Sequence, residues 1–129
     1  MANLLEERNY YKPFNYPWAF EAYKMQQQMH WMPEEVNLAD DLKDFREKLT
    51  EPNKRLLSQI FRFFTQADVD VCCGYAKHYL PTFKQPEVRM MLAAFASMEA
   101  VHQEAYSLLL DTLEFDESEY QMFSEIQAM

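Results

Sequence analysis

A single glycine, Gly74, stands among the 129 residues of this chain, and no other feature restricts its fold so sharply. All-β sandwiches and barrels need many turns with residues that tolerate positive φ, so those architectures are excluded. Rossmann and P-loop phosphate sites, built on clustered glycines, are excluded with them. Ten Phe, eight Tyr and two Trp supply too much apolar surface for a disordered chain. What is left is an all-α chain, long enough for one domain with one core.

The formal net charge of -9 argues against nucleic acid or an anionic membrane as a partner, since both call for a concentrated positive field. No charged-then-apolar opening marks a secretory signal, and no apolar run is long enough to span a membrane. A cytoplasmic location is expected. Cys72 and Cys73 are adjacent, so they make neither a CxxC redox pair nor half a zinc site. They read as two small apolar residues on a buried helix.

Residues 1–16, with Tyr10, Tyr11, Phe14 and Tyr16 around Pro13, read as an extended arm whose aromatics pack on the domain or on a neighbour. Residues 17–129 read as helical. Pro17 sits where a helix would start, and a short helix is expected from Ala19 to Gln28, broken by Trp31 and Pro33, with a polar one around Ala39–Lys48. Thr50, Glu51 and Pro52 combine a hydroxyl cap, an acid and a first-turn proline. The helix they start is expected to run to about Tyr79 and to end at Pro81. Its Leu57, Ile60, Phe61, Phe64, Val71 and Tyr75 form one buried stripe. Pro86 opens a second long helix to about Leu113, and Asp116 or Ser118 begins a last one over Glu117–Gln127. Two long helices with a short connection should be antiparallel neighbours.

The second long helix carries the chemistry. Its inward row reads Leu92, Phe95, Glu99, His102, Tyr106, Leu109 and Leu113, at alternating steps of three and four, and a row of that period faces the core. The first long helix places Asp68 in its own apolar row. Burying carboxylates without partners costs several kcal/mol. A hard or borderline metal ion held by Asp68, Glu99 and His102 would offset that cost. Glu99 and His102, at i and i+3, aim at one point. The plainer alternative is a Glu–His pair held in core hydrogen bonds. Tyr106 reads equally as core with a satisfied hydroxyl, and Trp31 as an aromatic plug. Asp70, about 200° around the helix from Asp68, should face away. His30 and His78 lack a carboxylate at this spacing and read as incidental.

At these residues the chain resembles the small, radical-generating subunit of class I ribonucleotide reductase. The likeness rests on Met98-Glu99-Ala100-Val101-His102 continuing through Tyr106 to Asp111, on Phe63-Phe64-Thr65-Gln66-Ala67-Asp68, and on Trp31-Met32-Pro33-Glu34-Glu35-Val36. These blocks follow the family's order and approximate spacing. The resemblance implies the N-terminal half of a ferritin-like di-iron helical bundle: a single partial domain completed by another chain. It implies that Asp68, Glu99 and His102 bind one of two iron ions, with Glu99 bridging to the second, and manganese is an alternative metal. Tyr106 matches the tyrosine converted to a stable radical with dioxygen, and Trp31 the tryptophan that passes electrons to the site. The aspartate that in the family links this tryptophan to the ligand histidine has no counterpart here.

One carboxylate helix and one E-x-x-H helix make half of such a site, which takes carboxylates from two helices and E-x-x-H pairs from two others. The leading expectation is therefore a split small subunit. A second polypeptide would bring the C-terminal half, a large subunit would make deoxyribonucleotides, and the completed small subunit would dimerise. Two other constructions are open. Two copies of the chain could build a symmetric di-iron oxidase from paired Asp68, Glu99 and His102. Alternatively, the chain could be a non-catalytic helical interaction module.

Overall fold

A computed structural model describes the backbone of residues 3–125 and the side chains of residues 3–122. The described residues form helices and connecting turns, without a strand. In chain order these are α1 (Pro17–Gln28), a 3-10 turn (Pro33–Glu35), α2 (Asp41–Glu47), α3 (Glu51–Gly74), a π-helical turn (Tyr75–Tyr79), α4 (Leu80–Thr82), α5 (Pro86–Thr112) and α6 (Glu119–Glu125). No helix among the described residues is long and apolar enough to cross a membrane.

Local signals account for most boundaries. Pro17 sits in the first turn of α1, where its missing N–H costs nothing. The Thr50 hydroxyl accepts the Asn53 N–H at 3.4 Å and caps α3. Asp116 accepts the Ser118 N–H at 2.9 Å ahead of α6. The expected end of α6 at Gln127 lies outside the described residues. The chain turns after α5 through Glu114, whose φ of 61° is left-handed, while the Phe115 N–H reaches back to the Leu110 carbonyl at 3.0 Å. That is a Schellman closure. Glycine is the residue favoured there, yet the one glycine lies elsewhere: Gly74 has a helical φ of -60°.

One boundary departs from expectation. The helix does not stop at Pro81. The Leu80 N–H bonds to the Tyr75 carbonyl, five residues back, and helical structure continues to Thr82. A proline ring lacks an N–H and collides with the carbonyl four residues earlier in a regular helix. The wider π turn takes up one extra residue just ahead of it.

The chain divides into two compact units. The first comprises Met1–Trp31 and Asp70–Ala100. Its core is Ala19, Val88, Met91 and Leu92, joined by Tyr16, Tyr23 and Phe95 among others. Its arm is secured by rings, with Phe14 meeting Phe20 of α1 at 5.0 Å, and by charge. Arg8 and Glu87 form a buried ion pair with 3% and 0% of their side chains exposed. Glu87 Oε1 accepts the N–H groups of Asn15 and Tyr16, each at 2.9 Å. Arg8 donates to the carbonyls of Tyr10, Tyr11 and Pro13. Tyr10 and Tyr11 themselves remain exposed.

The second unit comprises Met32–Val69 and Val101–Met129. Leu110 is buried on it, Phe45 meets Phe115 at 5.8 Å, and Arg62 pairs with Glu119. Side-chain pairings within each unit show α3 and α5 running antiparallel, as expected. Cys72 bonds to the Ala96 carbonyl in the first unit. In the second, Gln103 bonds to the Asp68 carbonyl and Phe64 meets Tyr106. Numbers rise on one helix as they fall on the other.

The burial expected of these helices needs correcting. Ile60, Phe64 and Val71 are exposed on α3, so its apolar row is only partly covered. Cys73 is exposed and Cys72 half-buried, because neighbours on a helix point about 100° apart. On α5 the buried side chains include Val88, Met91, Leu92, Ala94, Met98, Val101 and Leu110, so the expected inward row is buried at Leu92 but not along its Glu99–His102–Tyr106 stretch. That stretch is half-buried.

Candidate metal centre

Asp68, Glu99 and His102 each offer one ligand atom, and these atoms lie within 4.8 Å of one another. Glu99 and His102 meet because i and i+3 on α5 share a face. Asp68 comes from α3, where its main-chain carbonyl accepts a hydrogen bond from Gln103 Nε2 at 3.2 Å. That bond ties the residue after His102 to the backbone of the third ligand. All three side chains are half-buried, and the Asp68 Oδ2 atom is fully buried. Asp70 is exposed, as its angular position requires.

The donor set fits a metal ion. Two carboxylates and an imidazole suit borderline and hard divalent transition ions. With bonds of about 2.1 Å, one ion holds two ligand atoms at most about 4.2 Å apart, so small side-chain rotations close the set. Three protein ligands leave coordination positions open for further donors.

Two phenols border the carboxylates. The Tyr106 ring stacks on Phe64, with centroids 5.6 Å apart and planes 3° from parallel. Burial, and then the charge of Asp68, push its hydroxyl above the ordinary tyrosine range. Tyr75 is raised in the same way by burial, then by Glu99 and Tyr79. Both phenols therefore hold their protons at neutral pH. Trp31 is half-buried between α1 and the 3-10 turn, apart in sequence from the other four site residues.

Sequence reasoning counted Phe64 and Tyr75 as ordinary members of an apolar row. The available signal was antiparallel pairing. Phe64 lies four residues before Asp68 and Tyr106 four after His102, so the two must face each other once those ligands meet.

The fold and the ligand cluster define a class: an all-helical, ferritin-like bundle whose long helices present carboxylates and an E-x-x-H pair. A family profile described as "Ribonucleotide reductase, small chain" matches residues 8–129, and the chain belongs to that family. It is 46% identical over 127 residues to a probable ribonucleoside-diphosphate reductase small subunit of Invertebrate iridescent virus 6, covering 98% of this chain and 35% of that protein. Among solved structures it resembles the ribonucleotide reductase Rnr4 homodimer from Saccharomyces cerevisiae (TM-score 0.84, 25% identity, 98% of this chain and 41% of that one). Its fold also matches the dimanganese(II) NrdF of Streptococcus sanguinis (TM-score 0.75, 20% identity, 92% of this chain and 44% of that one). The chain spans about a third of the length of the curated relatives it matches.

Proposed function

We propose that this chain is the N-terminal part of a ribonucleoside-diphosphate reductase small subunit. Asp68, Glu99 and His102 would hold one metal of a dinuclear iron or manganese centre. Residues beyond this chain, carried by a second polypeptide, supply the other ligands. The arm 1–16 and helices 17–129 thereby form part of one ferritin-like domain. The convergence of Asp68, Glu99 and His102 carries this reading.

When bound, such a centre supplies one-electron oxidising power drawn from dioxygen. The protein's part is to place an oxidisable side chain beside it and to restrict access to that side chain. Tyr106 sits one turn beyond His102, half-buried and stacked on Phe64. Its raised hydroxyl keeps its proton until an electron leaves. Trp31 serves the passage of electrons between surface and site. The completed small subunit dimerises and hands its radical to a large subunit that makes deoxyribonucleotides. A cytoplasmic setting accords with two free thiols.

The test is to purify the chain with its complementing polypeptide, add Fe(II) and oxygen, and record metal content and electron paramagnetic resonance. Two metals per assembled subunit and a tyrosyl signal absent from Tyr106→Phe are expected. A complex that binds no metal would overturn the reading.

A further inference from the structure

Tyr75 and Tyr79 occupy the π turn that follows α3, and the role proposed for Tyr106 uses neither of them. π turns are rare and gather at functional sites. The Tyr75 ring meets Tyr79 at 5.5 Å between centroids and Phe95 at 6.4 Å. Phe95 lies one turn before Glu99 on the ligand row of α5, and Tyr75 lies two turns beyond Asp68. Tyr75 is half-buried, whereas Tyr79 is 49% exposed. The two phenols thus form a short aromatic path from beside Glu99 to solvent, with neighbouring rings close to van der Waals contact.

We infer that Tyr75 and Tyr79 form an electron relay that discharges a misplaced oxidising equivalent from the metal centre to solvent, separately from Tyr106. The inference rests on the metal-site reading above. Tyr75 gives one electron to a one-electron oxidant of the transition-metal class held by Asp68, Glu99 and His102, and its phenolic proton goes to water. Tyr79 then returns an electron to Tyr75, which takes a proton back from water, while Tyr79 loses its own proton to solvent. A thiol in solution restores Tyr79 by giving up a hydrogen atom and becoming a thiyl radical. The charge of Glu99 acts on the Tyr75 phenol, in keeping with this proximity.

The chain, assembled with its complementing polypeptide, is loaded with Fe(II), exposed to oxygen with a nitroso spin trap in the absence of thiol, and mapped by peptide mass spectrometry. Co(II) absorption of the same assembly, with Glu99→Ala as control, reports separately whether the ligands bind a metal. The expected result is an iron-dependent adduct on Tyr79 that is lost in Tyr75→Phe, a variant that keeps the ring against Phe95. In Tyr79→Phe the adduct should move to Tyr75. If Co(II) binds but Tyr79 carries no adduct, or carries as much in Tyr75→Phe, the relay is overturned and the metal site stands. If neither Co(II) nor Fe(II) binds, the metal-site reading fails and the relay fails with it.

Discussion

Carboxylates on α3 and α5 meet two different fates. Glu87, at the start of α5, is fully enclosed and is surrounded by donors: the Arg8 guanidinium and the N–H groups of Asn15 and Tyr16. Burial alone would raise its pKa, but the backbone N–H groups and Arg8 outweigh that and hold it below the usual carboxylate range. Asp68 and Glu99 are only half-buried and are grouped with an imidazole and two phenols whose hydroxyls feel their charge. The first arrangement fastens a segment; the second assembles ligand atoms. A buried acid ringed by hydrogen-bond donors is architecture, whereas acids gathered around a histidine can serve as a receptacle for a cation.

The largest expected effect breaks the first arrangement. Arg8→Ala leaves Glu87 buried with its cation removed, which costs about 3–5 kcal/mol in urea denaturation. A loss under about 1 kcal/mol would show that the backbone N–H groups alone hold Glu87. The same carboxylate sets a pH dependence. Its folded pKa lies below its unfolded one, so its contribution is complete above the ordinary carboxylate range and is lost as pH falls through the folded value. Urea midpoints across an acid series should decline in that window, and the Glu87→Gln chain should flatten the decline.

Glu99→Ala probes the second arrangement. Metal affinity in the assembled complex should fall by at least about a hundredfold, more than loss of an outer-shell partner costs. Folding stability should move by less than about 1 kcal/mol, in contrast to Arg8→Ala. If Glu99→Ala unfolds the chain instead, Glu99 belongs with Glu87 as architecture.

Smaller effects sharpen the contrast. A Cβ at Gly74 would meet nothing within 4 Å, so Gly74→Ala should stabilise the chain by up to about 1 kcal/mol. A loss on thermal melting would mean that the π turn needs glycine's freedom beside it. Smallest of all, Glu114→Gln removes the exposed Arg46–Glu114 pair, 58% and 57% exposed, and should change stability by less than about 0.5 kcal/mol.

The helical class and the long helices were legible because Pro52, Pro86 and Thr50 mark starts, and apolar steps of three and four mark the runs between. The ligand cluster was legible because Asp68, Glu99 and His102 interrupt those rows with groups that bind metals. Three features were hidden. The Arg8–Glu87 pair joins residues 79 apart, and local pattern carries no information about such a meeting. The π turn depends on how Pro81 is accommodated, which residue types alone leave undetermined. The exposure of Ile60, Phe64 and Val71 depends on what covers α3, whereas periodicity reports only that a face is apolar.

The connection between α3 and α5 works as a spacer. The short connection limits how far α3 and α5 can slide past each other, and pairings such as Phe64 with Tyr106 fix which residues face. One residue added inside α5 ahead of Glu99 would turn Glu99 and His102 by about 100° relative to the helix before them and carry them away from Asp68. The π turn already takes up one extra residue on the α3 side. Length changes inside either helix therefore disturb the ligands more than changes in the connection, and helical residues that contribute no ligand hold the ligands in phase.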